Sequence, residues 1–305
     1  RLNTAFLSAA GVDAAHGATC VNFNEVPVKQ MALASAGQAV LVVDGSKVGP
    51  WHQLLLVSLA YRHRTIPLAW MWVPQSRGHS SAARQLALLR YVHGLLPVGA
   101  PVLLVGDQEF GAIEVLKQLD QWDWQYVLRQ KSSQLFRPDA NSPWQAFGQV
   151  IQKAVQRVWL GEVDYTQQHA YRTHLLAYWQ VGEPEPWLLA TSLLSLTAAL
   201  KAYQRRAWIE ETFGDLKDNG FDLESSRLHT AMQLHRITLA VMLLYLDLLA
   251  TGSRVIKNGL RRLVDRANRR DLSLFRIGLY IRDRYLANDK PFSIHFMPIL
   301  SQTVG

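Results

Sequence analysis

Cysteine is almost missing from this chain of 305 residues: Cys20 stands alone, which excludes an internal disulfide and makes a reducing cytoplasm the simplest compartment. The ten histidines do not complete a metal-ligand pattern with it. His229 and His235, and likewise His169 and His174, are spaced so that neither pair presents two chelating rings on one helical face, and all four read as surface or core residues. The nearest approach to a membrane span, ITLAVMLLYLDLLA at residues 237–250, is too short and contains Asp247, so it reads as a buried core helix and no membrane partner is expected. Low-complexity stretches and a signal peptide are missing too, and a first residue of Arg1 reads as a chain without its natural start.

Apolar material and positive charge are what the chain does have. At 49% hydrophobic residues it can bury one large core or two smaller ones. A net charge of +8 favours a polyanionic partner. Residues 251–290 hold eleven Lys or Arg, among them Arg261, Arg262, Arg269 and Arg270, against four Asp, so a segment of +7 carries nearly all of the excess. Such a segment suits contact with nucleic-acid phosphates, although a solvated basic surface has the same composition.

Two apolar runs end in aspartate. QAVLVVDGSKVG breaks at Asp44–Gly45 and GAPVLLVGDQEFG at Asp107, each run reading as a strand covered on both faces whose last residue reaches an open sheet edge. Taken singly, either aspartate also suits an ordinary turn or cap. Further on, KAYQRRAWIEETFGDLK places Tyr203, Arg206 and Lys217 each within about 40° of Glu210 around a helix and along about 20 Å of its axis. One carboxylate on a narrow stripe with three side chains able to hold phosphates suits work on phosphodiesters; a solvated helix face looks the same when nothing else accompanies it. Hard oxygen donors gathered at a sheet edge are what magnesium or manganese needs.

Tyr203, Arg206, Glu210 and Lys217 match without a gap the Y-R-E-K signature of a group of bacterial cut-and-paste insertion-sequence transposases of the DDE class, and DGSKVG, YRHRTIPLAWMWVP and the apolar helix after LESSRL extend the resemblance over nearly the whole chain. The resemblance implies an α/β, ribonuclease-H-like core, a mixed sheet flanked by helices and interrupted by a small β-rich insertion. Asp44, Asp107 and Glu210 would be its catalytic carboxylates and the ligands of two Mg2+ or Mn2+ ions, with Tyr203, Arg206 and Lys217 on DNA. It further implies cleavage of transposon ends and strand transfer into target DNA, double-stranded DNA as partner, a homodimer when bound to it, and a nucleoid-associated place in the bacterial cytoplasm. Members often carry Arg-Gly after the second aspartate, where this chain has Gln108 and Glu109.

The expected organisation is a remnant of an N-terminal region at 1–38, the first part of the core at 39–130, a β-rich insertion at 131–190, the second part of the core with the signature helix at 191–250, and a basic DNA-binding or dimerisation segment at 251–305. Strands are expected near 39–44, 53–60, 65–73, 101–106 and 125–130, with helices at 79–96 and 111–121. The insertion holds Trp144, Trp159, Trp179 and Trp187, and in related transposases a tryptophan there stacks on a flipped base; core packing is the ordinary role for each ring. Two other functions fit the same residues: a ribonuclease-H-like nuclease without strand transfer, which has no need of Tyr203 and Lys217, and an inactive transposase-derived DNA-binding protein.

Overall fold

A computed structural model describes residues 11–13, 17–19, 38–49, 52–74, 80–217, 220–226, 228, 230–296 and 298. Cys20, His229 and most of the expected N-terminal remnant lie outside them. Two short strands, β1 (Gly11–Asp13) and β2 (Gly17–Thr19), pair antiparallel.

The unbroken apolar runs become the strands β3 (Ala39–Val48), β4 (His52–Tyr61), β5 (Arg64–Pro74), β6 (Val102–Gly106) and β7 (Gln125–Arg129), with helices α1 (Ala82–Leu95) and α2 (Ile113–Gln121) between them. Five more strands follow: β8 (Leu135–Arg137), β9 (Gln145–Ala146), β10 (Arg157–Tyr165), β11 (Tyr171–Tyr178) and β12 (Trp187–Thr191). All ten from β3 onward form one mixed sheet in the order β5-β4-β3-β6-β7-β12-β11-β10-β8-β9. Only β3–β6 and β6–β7 pair parallel. The tryptophan-rich stretch is thus hydrogen-bonded to the rest of the sheet through β12 and β7.

Runs without alternation need cover on both faces. Leu103, Val105 and Val127 pack under Ala199, Leu200 and Tyr203 of α3 (Leu196–Tyr203), whereas Leu104, Tyr126 and Leu128 belong to the larger core with Leu88 of α1 and Leu116 of α2. The chain then runs through α4 (Ala207–Leu216), α5 (Ala231–Lys257) and α6 (Leu274–Leu286).

Helix α5 is longer than the run read from the sequence, and its 27 residues meet the length and hydropathy needed to cross a membrane. Within the fold 67% of its apolar window is buried, the behaviour of a core helix. Its crossing with α6 depends on two glycines: a Cβ at Gly278 would stand 1.9 Å from the carbonyl oxygen of Leu248, and one at Gly252 2.1 Å from that of Leu274. Backbone cannot give way as a side chain can, so Gly278→Ala is expected to destabilise the protein by about 1–3 kcal/mol, lowering the melting temperature by several degrees. An unchanged melting temperature would show that the helices do not cross this closely.

Candidate active site

Strand β3 does not stop at Asp44, as its apolar run suggests. It continues to Val48 because β4 goes on pairing with it, through Asp44↔Leu56 to Val48↔His52. On its other side the parallel ladder with β6 ends at Val43↔Gly106. Asp44 and Asp107 therefore each stand one residue beyond the last rung shared by two adjacent parallel strands. Asp107 precedes a 3-10 turn, Gln108–Phe110, yet its side chain makes no capping hydrogen bond there.

The two carboxylates meet different surroundings. Asp44, 13% exposed at its side chain, accepts from the Gly45 amide at 2.7 Å through Oδ1 and from Arg206 at 3.4 Å through Oδ2. Burial pushes its carboxyl up to about 7; Arg206 and the Gly45 amide oppose that rise, and neighbouring Asp107 and Glu210 add to it. Asp107 is 34% exposed, with Arg129 of β7 4.0 Å from its Oδ1, an atom that is itself buried and accepts no hydrogen bond. Arg129, at the end of the adjoining parallel strand, is a member of this edge that sequence reasoning passed over.

Glu210 lies in the first turn of α4, half exposed, and accepts from Arg206 at 2.5 Å. Arg206 thus joins Asp44 to Glu210. Burial works against its charge, but Tyr203, Asp107, Asp44 and Glu210 together outweigh burial and raise its basicity. Among the described residues no three His, Cys, Asp or Glu side chains gather closely enough to hold a metal ion. The expected convergence of Asp44, Asp107 and Glu210 on one point is incomplete, because the guanidinium of Arg206 stands between two of them.

The single stripe from Tyr203 to Lys217 is not found. A 3-10 turn, Gln204–Arg206, separates α3 from α4. Each residue of such a turn advances about 120° in place of 100°, so the register slips by about 60° over three residues. Tyr203 is turned inward: it is 2% exposed and packs edge-on against Trp187 at 5.0 Å, and its hydroxyl has no hydrogen-bond partner. That position removes it from direct contact with a DNA backbone on the surface. Lys217 caps α4 with non-helical dihedrals and donates from Nζ to the carbonyl oxygen of Lys47 on β3.

Of the four C-terminal arginines, Arg261 is engaged by its own loop, reaching Asp265 at 3.0 Å and the carbonyl oxygens of Arg266, Ala267 and Arg269 at 2.6, 3.2 and 2.9 Å. It organises the basic loop and is not available to a phosphate in this arrangement. Arg269 is exposed and pairs with Asp271, Arg270 donates to the Leu272 carbonyl, and Arg262 is exposed. Burial lowers the basicity of Arg270, and the nearby Arg62, Arg261 and Arg64 lower it further while Asp265 opposes them, so the turn between β4 and β5 lies close to this loop.

Each tryptophan of the β-rich stretch already covers a neighbour: Trp144 lies under Arg137, Trp159 against His174, Trp187 between Tyr178 and Tyr203, and Trp179 donates to the Glu183 carbonyl. At the position where the resemblance departs, Glu109 accepts from the Ser80 amide at 2.6 Å and from the Gln53 side chain at 3.1 Å, so two other segments hold this turn.

In the metal-free protein the Asp44 carboxyl makes stability depend on pH. An acid held at about 7 when folded against 3.8 when unfolded binds its proton more tightly in the fold. Its contribution is complete below pH 3.8 and is lost as pH rises to about 7. Metal-free wild type is therefore expected to lose on the order of 3 kcal/mol across that range relative to Asp44→Asn. Parallel pH profiles of unfolding for the two proteins would contradict this.

The chain belongs to the transposase DDE domain family, whose sequence profile matches residues 34–246. A second profile, the DeoR C terminal sensor domain, matches residues 1–65. Deoxyribose operon repressors of Escherichia coli K12 and O157:H7 are each 58% identical to this chain over 45 residues, 15% of this chain and 18% of the repressor. The chain thus spans less than a fifth of the length of these curated relatives. Among solved structures, the cryo-EM structure of a piggyBac transposase synaptic complex with hairpin DNA aligns with a TM-score of 0.39 at 11% identity, covering 88% of this chain and 60% of that one.

Proposed function

We propose that this protein is a transposase of the Y-R-E-K group that cuts double-stranded DNA at the ends of a mobile element and joins those ends to target DNA by in-line displacement at phosphorus. The observation that carries the reading is the placing of Asp44 and Asp107 side by side, one residue past the last rung of parallel β3 and β6, with Glu210 joined to Asp44 through Arg206. A ribonuclease-H-like core is supported by the order β5-β4-β3-β6-β7, in which β4 is antiparallel to its neighbours and β3, β6 and β7 are parallel.

The donor set suits Mg2+ or Mn2+: three carboxylates supply hard oxygens, and the buried Oδ1 of Asp107 has no hydrogen bond to lose. Asp44, Asp107 and Glu210 would hold a metal pair once Arg206 has moved from between Asp44 and Glu210, and the pair would supply activation of the attacking oxygen and stabilisation of the leaving one. Arg206 holds the acidic edge in balance when no DNA is present, and on DNA its guanidinium is placed to take a phosphate in exchange for carboxylate. Lys217 and Lys47, joined at the end of β3, and the surface of Arg262, Arg269 and Arg270 supply position and charge along the backbone. Tyr203 acts from below, as a buried brace on Trp187 that fixes the turn presenting Arg206. A homodimer on DNA in the bacterial cytoplasm accompanies this reading, because two ends are cut together.

The test is end cleavage and joining with the element's own terminal DNA, Mg2+ and a supercoiled target. Joined product is the expected result. Cleavage without joining would make the protein a nuclease, and DNA binding without either would make it a DNA-binding protein only.

A further inference from the structure

Behind the Asp107 edge, the turn after β6, strand β4 and the start of α1 meet on one carboxylate. Glu109, two residues past Asp107, accepts at Oε1 from the amide and the hydroxyl of Ser80, at 2.6 and 2.5 Å, and at Oε2 from Nε2 of Gln53 at 3.1 Å. Its main chain is held as well: Gln85 of α1 donates from Nε2 to the Glu109 carbonyl at 2.9 Å and to the Ser80 hydroxyl at 3.0 Å. Ser80, Gln53 and Gln85 are buried, and Oε1 of each glutamine has no hydrogen-bond partner. A buried polar cluster that leaves two acceptors unpaired is a poor source of stability.

The same cluster touches the end of β3. A Cβ at Gly45 would stand 2.4 Å from Nε2 of Gln53 and 3.1 Å from Oε2 of Glu109, so these two side chains fill the space that a side chain at position 45 would need. Successive residues of a strand face opposite ways, which puts this space across β3 from the Asp44 side chain. Glu109 thus joins the ends of β3 and β6 from behind, as Arg206 joins Asp44 to Glu210 in front.

We propose that Glu109 is a positioning residue of the cutting centre: its carboxylate, gripped by Ser80 and Gln53, locks the Asp107 turn against the Asp44–Gly45 end of β3 and so sets how the two aspartates stand toward each other. This rests on the reading of Asp44 and Asp107 as metal-holding carboxylates, and it adds a residue outside both the three carboxylates and the signature helix.

Calorimetry of Mn2+ binding to the full chain tests the role, with Asp107→Asn marking which binding belongs to the centre. Glu109→Ala is expected to weaken that binding about tenfold and to slow end cleavage at saturating Mn2+ and DNA by a similar factor, with duplex affinity unchanged. Glu109→Gln is expected to restore both nearly to wild type, because its amide oxygen still accepts from Ser80 and Gln53 can turn its unpaired oxygen to accept from the new amide. A Gln variant as impaired as the Ala variant would show that the charge of Glu109 acts directly, as that of a metal ligand does, and would overturn the positioning role. So would a folded Glu109→Ala with a lowered melting temperature but unchanged Mn2+ binding and cleavage, since that describes a brace for stability alone. Ser80→Ala, which removes one donor to Oε1, is expected to shift Mn2+ binding in the same direction; it decides if Glu109→Ala does not fold, and an unshifted affinity then counts against the role. Wild type that binds no Mn2+ removes the metal-centre reading itself, whereas Mn2+ binding lost in Asp107→Asn and intact in Glu109→Ala removes the positioning role alone.

Discussion

Glu210→Gln is expected to lower end cleavage and strand joining on the order of 10³-fold, the scale on which removal of a single stabilising charge acts in an active site, while duplex affinity stays close to that of the wild type. The substitution keeps the size of the side chain and an oxygen for Arg206, which now lies 2.5 Å from Oε1, so the local packing of α4 has no reason to change. What it removes is one of three anionic oxygen donors. Arg206→Ala should behave differently, because its guanidinium touches both Asp44 and Glu210 and is placed to meet phosphate; it should weaken DNA binding as well as the rate. Kinetics with saturating DNA separate the two variants, and wild-type rates in Glu210→Gln would remove Glu210 from the chemistry.

The largest expected effect on stability lies far from that edge. Asp247 of α5 is buried and takes two hydrogen bonds from Arg282 of α6, at 2.6 and 2.9 Å, and one from the His295 amide at 2.8 Å. Arg282 is 8% exposed at its side chain, covers Phe292 and also donates to the Ser293 carbonyl at 2.8 Å, so loss of Asp247 leaves a largely buried cation without its counter-charge. Asp247→Ala should cost about 3–5 kcal/mol, mostly as the penalty of an unpaired buried cation. Replacing both Asp247 and Arg282 by Leu should cost far less, because an apolar pair needs no compensation in the core. Urea unfolding of the single and double variants checks both expectations, and a single variant as stable as the double would contradict the pairing.

The strands that position the site were legible because their physics is local. Runs such as VLVV and VLLV, apolar on both faces and ended by Asp44 and Asp107, admit little besides covered strands in a parallel part of a sheet. The continuation of β3 beyond Asp44 was not legible, since it is fixed by β4 pairing across a hairpin. Nothing in KAYQRRAWIEE marks the 3-10 turn at Gln204–Arg206: it has neither Pro nor Gly, and Tyr203 is turned inward by Trp187, a contact between different elements. Arg206 shows both cases in one side chain. Its pairing with Glu210 follows from four-residue spacing, whereas its pairing with Asp44 joins residues far apart in the chain and depends on the finished sheet. Charge counting found the basic C-terminal segment, but composition does not distinguish an arginine facing solvent from Arg261, which is spent on the carbonyls of its own loop.

The central claim is that Asp44, Asp107 and Glu210 act as one phosphodiester-cutting centre, and strand joining by the single variants Asp44→Asn, Asp107→Asn and Glu210→Gln set beside the triple variant measures it most directly. Residues that act as a unit show losses that do not add. Each single variant is therefore predicted to lose nearly as much activity as the triple, with duplex affinity retained in all four. Losses that multiply from single to triple, or wild-type joining by any one of the single variants, would contradict the account.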